Sequence, residues 1–132
     1  MDVFNYSLKH YVMKIIDTKT HGYMDYIMGI FLIACPSLFD LGHETVQGIV
    51  FYAAGAAAVV YSILTNYELG LVKIIPMKIH LTLDFLSGVF LATSPWLFGF
   101  AETVYGPHLT LGIIEILVSI LTSHKITREV EV

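Results

Sequence analysis

Two histidine–aspartate pairs carry the chemistry open to this chain. His21 and Asp25 stand four residues apart, and so do His80 and Asp84. On a helix that spacing puts imidazole and carboxylate on one face, a turn apart. The pairs recur at an offset of 59 residues, together with Lys14/Lys73, Gly29/Gly88, Phe31/Phe90, Pro36/Pro95 and Phe39/Phe98, without a gap. A fixed period with so many identities marks an internal duplication. A fifth ionisable residue, Glu115, is not duplicated; the equivalent position falls near Ala58.

Three chemistries suit these residues. The first reading is structural: the His–Asp pairs lock helix starts to one another or to backbone, and Glu115 is a neutral hydrogen-bonding acid. The second is transport, with His21, Asp25, His80, Asp84 and Glu115 as a proton or cation path. Short helices leave little room for a pore in one copy, so that reading asks for a homo-oligomer. The third is a metal or haem site with His21 and His80 as paired ligands and each aspartate as ligand or orienting partner. The clustered signatures of strong metal sites are absent. So are a Ser-His-Asp elbow, a phosphate loop and a dinucleotide fingerprint. The structural reading leads, with no catalytic residue and no cofactor expected.

The elements that must position these groups follow from composition. Of 132 residues, 56% are hydrophobic and 14% charged, and mean hydropathy is +0.74. A soluble domain carries about 25% charged residues, and a chain this short cannot hide so much apolar surface from water. Lipid is therefore the expected partner. The net charge of −4 suggests no nucleic acid, and the single Cys35 forms no intrachain disulfide. No cleavable signal peptide is evident at the N-terminus.

Apolar runs cover roughly residues 23–41, 45–66, 80–100 and 104–123, each close to the ~20 residues that cross a bilayer as a helix. This predicts an all-α, up-down-up-down four-helix membrane bundle of two tandem hairpins. The segments are an amphipathic N-terminal helix over 1–20 at the lipid interface, repeat 1 over 21–67, a linker over 68–79, repeat 2 over 80–124 and a charged tail over 125–132. Every Lys and Arg lies before run one, between runs two and three, or at the end of the chain. The positive-inside rule then puts both termini in the cytoplasm. Gly29 and Gly88 continue the His–Asp faces and are expected to let helices one and three approach. If those faces meet, the two pairs converge near the inner leaflet. Glu115 lies deeper, roughly 12 Å from the inner end of its helix, where an acid costs about 2.5–3.5 kcal/mol on insertion scales.

The third run ends in Ser94-Pro95-Trp96, with Gly-x-Phe-Leu before it and Leu97-Phe98 after it. In this the chain resembles the SPW-repeat family of small bacterial integral membrane proteins. The resemblance covers about residues 21–123; the first half keeps only the proline, in Cys35-Pro36-Ser37. It implies two membrane helices per repeat, with the tripeptide in the first, and a bacterial inner-membrane location. It implies an architecture and no reaction. Physically, Pro36 and Pro95 can bend a helix end, Ser94 can bond a freed carbonyl, and Trp96 suits headgroup depth. His43 and His108 read as ordinary residues of the outer side, and Cys35 as an apolar filler.

Overall fold

The computed structural model describes residues 14–125, and within them the chain forms four helices. We number them α1 (Thr18–Leu38), α2 (Val46–Leu64), α3 (Met77–Leu97) and α4 (Gly106–Leu121). The fold is all-α: α1 packs on α2 and α3 on α4 as two hairpins, which meet chiefly through α2 and α3.

Local chemistry sets the boundaries. Asp17 is the N-cap of α1, its carboxylate accepting from the Thr20 N–H at 2.9 Å. Thr45 does the same for α2, accepting from the Gly48 N–H at 3.1 Å. Such caps satisfy donors that no helical carbonyl can reach. The helix ends of α1 and α3 are built alike. Each has proline inside its last turn, and the next-but-one residue after the helix, Asp40 or Gly99, takes positive φ (50° and 73°). A left-handed residue just beyond the C-cap is a common way to stop a helix. α1 and α3 begin a turn before their apolar runs, because the polar leads ending in His21 and His80 are already helical.

The amphipathic helix expected over 1–20 lies largely outside the described residues, and its described part corrects the expectation. Residues 14–17 precede α1 and are not helical; Ile16 pairs in parallel with Thr122. The Ile16 N–H donates to the Leu121 carbonyl at 3.2 Å, and the Ser123 N–H donates to the Ile16 carbonyl at 2.9 Å. The linker repeats this pairing, Ile75 with Thr65. Each hairpin's last residue is thus tied to the segment leading into the other hairpin, and the two repeats close on each other head to tail.

The role expected of Gly29 and Gly88 is also corrected. A Cβ on Gly29 would come 2.7 Å from the Val59 side chain and 3.2 Å from the Gly55 carbonyl. One on Gly88 would come 2.8 Å from the Gly112 carbonyl. Both glycines therefore serve close approach inside a hairpin, α1 to α2 and α3 to α4, not α1 to α3. The reason is helical rotation: eight residues beyond a histidine, the face has turned by about 80°. His21 looks at the second hairpin; Gly29 looks at its own partner helix.

The enclosed residues divide by depth. Toward the 39–45 and 98–105 turns lies an apolar core of Leu32, Cys35, Val50, Phe51, Leu91 and Leu111. Toward the other end most enclosed residues are polar, Thr18, His21, Ser62, Thr65, His80, Ser119 and Thr122, with Tyr67 and Met77 beside them.

Candidate functional site

The duplicated pairs meet in that polar half. His21 Nε2 lies 2.9 Å from Asp84 Oδ2, and His80 Nε2 lies 2.8 Å from Asp25 Oδ2. Within each pair the separations are 3.1 Å and 3.2 Å. The two Nε2 atoms are 3.1 Å apart, and the rings meet edge to face. Each imidazole therefore reaches its own carboxylate and the one across. Both histidines are fully enclosed, and Asp25 and Asp84 are 9% and 6% exposed.

The far side of each ring is held by a residue that the duplication at 59 does not expose. His21 Nδ1 lies 2.8 Å from Thr122 Oγ1, and His80 Nδ1 lies 2.8 Å from Thr65 Oγ1. Each threonine hydroxyl donates to a carbonyl one turn back, Val118 or Tyr61, at 2.6 Å. Its only proton is then spent, so it must accept from the ring, and Nδ1 carries hydrogen in both histidines. This directs both Nε2 atoms at the carboxylates. A signal for these residues exists: the second helices repeat at an offset of 57, matching Gly55/Gly112, Ser62/Ser119 and Thr65/Thr122. From Phe39 to Gly55 is two residues further than from Phe98 to Gly112, and α4 is shorter than α2, so one period does not cover both helices.

The cluster has a definite charge requirement. Two carboxylates bring two negative charges into an enclosed space, and two Nδ1-protonated neutral imidazoles bring none. Balance needs two further protons on the Nε2 atoms or one divalent cation between them. Four potential ligand atoms, one from each residue, lie within 4.8 Å of one another. A haem iron held between His21 and His80 does not fit. Axial nitrogens on opposite faces stand about 4 Å apart at bonds of about 2 Å, and here the gap is 3.1 Å.

Glu115 approaches without joining. It lines a cavity of about 30 Å³ with Met28, Ala58, Tyr61 and three members of the cluster, His21, Asp25 and Asp84. That is room for about one or two waters. Its Oε2 is buried and bonds to none of the described residues. Ala58, at the equivalent point of α2, faces the same cavity, so the site is asymmetric here. Tyr61 and Tyr67 pack their rings against His80, centroids 5.2 Å and 5.6 Å away. Burial, with the Asp25 charge, pushes the Tyr67 phenol above its ordinary value.

The remaining candidates are placed as follows. Pro95 leaves the Leu91 carbonyl without its helical donor, and the Ser94 hydroxyl donates to that oxygen at 2.8 Å. Cys35 holds the position of Ser94 in repeat 1 and is buried. Pro36 and Pro95 are buried. Trp96 is 56% exposed and packs near Tyr105. His108, read as an ordinary residue of the outer side, is wholly enclosed there. It stacks on Phe51 at 4.0 Å, and its Nε2 donates to the Gln47 carbonyl at 3.0 Å, joining the hairpins at their other end. His43 is exposed and bonds Tyr52.

A family model described as the SPW repeat domain matches residues 19–122, and the chain belongs to that family. No curated protein and no solved structure matches it.

Proposed function

We propose that this SPW repeat protein is a multi-pass protein of the bacterial cytoplasmic membrane with a structural or interaction role. In this reading the His–Asp cluster clamps its two hairpins together near the inner face. The observation that carries the reading is the inverted partition of side chains. Ile27, Ile30, Val60, Leu86, Ile113 and Leu117 point outward, while histidines, aspartates, serines and threonines fill the interior of one half. In water that arrangement is unfavourable on both counts; in lipid it is what is required, since polar groups must find partners inside the bundle.

Length supports crossing by three of the four helices. At 1.5 Å per residue, α1 and α3, with 21 residues each, span about 31 Å, against a hydrocarbon core of about 30 Å. By hydropathy α2 is long and apolar enough to cross a membrane. α4 has 16 residues and reaches about 24 Å, with Tyr105 at its start. Charge supports the orientation. His124, exposed at the basic end, is held below the ordinary imidazole value by slight desolvation and then by the charges of Lys78, Lys14 and Lys125. The opposite turns carry Asp40, Glu44 and Glu102 and no basic residue. On the positive-inside rule the basic end, with both termini, is cytoplasmic.

Fractionation and melting test this reading together. The chain is expected to stay with carbonate-washed membranes, and Asp25→Asn/Asp84→Asn to melt well below wild type in detergent. A chain released by carbonate overturns the location; an unchanged melting temperature overturns the clamp.

A second reading draws on one observation, the unpartnered Glu115 oxygen beside the cavity. It assigns Asp25, Asp84 and Glu115 to a proton or cation path, with any continuous pore formed between copies of the chain. Flux into liposomes that disappears in Glu115→Gln is its test.

A further inference from the structure

We propose that His21, Asp25, His80 and Asp84 bind one divalent transition-metal ion of the zinc class, four-coordinate, through both Nε2 atoms and one oxygen of each carboxylate. The inference deepens the clamp reading, because the ion would be what closes the clamp. It does not depend on which way the helices cross a membrane.

The first support is the direction of the lone pairs. Thr65 and Thr122 fix hydrogen on both Nδ1 atoms, so both Nε2 lone pairs point inward. There they face each other at 3.1 Å and two carboxylates at 2.8 Å and 2.9 Å. Four acceptors converging on one enclosed point repel unless protons or a cation join them. Hydrogen-bonding the non-ligating ring nitrogen is also how metal-bound histidines are ordinarily oriented.

The second support is size. A tetrahedral zinc ion with bonds of about 2.0–2.1 Å sets its ligand atoms about 3.3–3.4 Å apart. The imidazole–imidazole and imidazole–carboxylate separations run from 2.8 to 3.2 Å, Asp25 turning Oδ2 to His80 and Oδ1 to His21, and one ligand atom from each of the four residues lies within 4.8 Å of the others. Seating the ion asks the four side chains to even out that range around the tetrahedral value.

The third support is charge. One divalent cation neutralises both carboxylates and meets all four groups together. Two protons balance the charge as well, but they place two N–H groups side by side with the nitrogens 3.1 Å apart. Imidazole and carboxylate ligands suit zinc and its first-row neighbours, not the softer thiolate-seeking ions. Glu115 stays outside the set; it lines the cavity next to the cluster and is absent from the convergent ligands.

The test uses the full chain purified in detergent, stripped with a chelator, re-equilibrated with Zn²⁺ and passed over a sizing column. Elemental analysis is expected to find one zinc per chain. Co²⁺ in its place is expected to give the visible bands of a four-coordinate ion. Zinc should persist in Glu115→Gln and in His43→Ala/His124→Ala, and be lost in His21→Ala/His80→Ala. Thr65→Val/Thr122→Val keeps every ligand and should bind zinc about 10–100-fold more weakly. It also decides the matter if the histidine variant does not fold, since unchanged affinity there overturns the proposal. Wild-type chain without stoichiometric zinc, or zinc that survives loss of both histidines in a folded variant, overturns it as well. If no zinc binds yet Asp84→Asn still destabilises the chain, the clamp stands and the ion falls. If the chain leaves the membrane yet binds zinc, the location falls and the ion stands.

Discussion

At the scale of single residues the account turns on buried charge. Removing one partner of a buried ion pair leaves the other uncompensated, at a typical cost of about 3–5 kcal/mol. Asp84→Asn is therefore expected to lower unfolding free energy by an amount of that order, measured by chemical denaturation in detergent. Equal stability in Asp84→Asn would mean that the carboxylate is not held as described. Ser94→Ala should cost about 1–3 kcal/mol, because the Leu91 carbonyl freed by Pro95 loses its donor in a buried place. Cys35→Ser, at the matching site of repeat 1, tests the same device by adding a donor where none is in place. The exposed N-cap Asp17 titrates below the ordinary carboxylate range because the Thr20 N–H and hydroxyl hold its charged form. A depressed folded value means that its contribution is complete above the unfolded value, about 3.9, and disappears as pH falls through the folded one. The stability gap between wild type and Asp17→Asn should therefore change only in strong acid. The His–Asp pairs were legible because both were duplicated in one register. Thr65 and Thr122 were not, because their helices repeat at a different offset. The burial of His108 was not legible because its counterpart is Phe51, which offers no polar echo.

At the scale of elements, close helix approach does the organising. In lipid, association relies on packing, and small residues let backbones come near. A Cβ on Gly112 would stand 2.5 Å from the Ala92 nitrogen and the Gly88 carbonyl, with no flexible atom to yield. Gly112→Ala is expected to destabilise by about 1–3 kcal/mol, as overpacking does, and Gly55→Ala similarly. Gly99 has open space around it but positive φ. Gly99→Ala should cost about 1 kcal/mol from backbone strain alone, whereas Gly106→Ala, open and unstrained, should melt like wild type. Helix number and the apolar stretches could be read from hydropathy, but starts could not. Asp17 and the polar first turn hide the beginning of α1 from an apolar window. The direction of Gly29 and Gly88 was missed because a shared face over one turn was extended over two.

At the scale of the molecule, two hairpins close head to tail, tied by paired backbone at Ile16–Thr122 and Thr65–Ile75 and by the crossed imidazoles. Repetition explains why the linker imitates the segment that enters α1. It also explains why the centre is polar: a pseudo-twofold axis brings identical groups together, and identical groups of mixed charge can satisfy each other only by reaching across. Single cysteines on a Cys35→Ser background, probed in intact cells with a membrane-impermeant maleimide, test the resulting topology most directly. Glu44→Cys and Glu102→Cys should label in intact cells, while Leu71→Cys and Lys125→Cys should label only after permeabilisation. Labelling of Leu71→Cys together with Glu44→Cys in intact cells would contradict the four-crossing bundle.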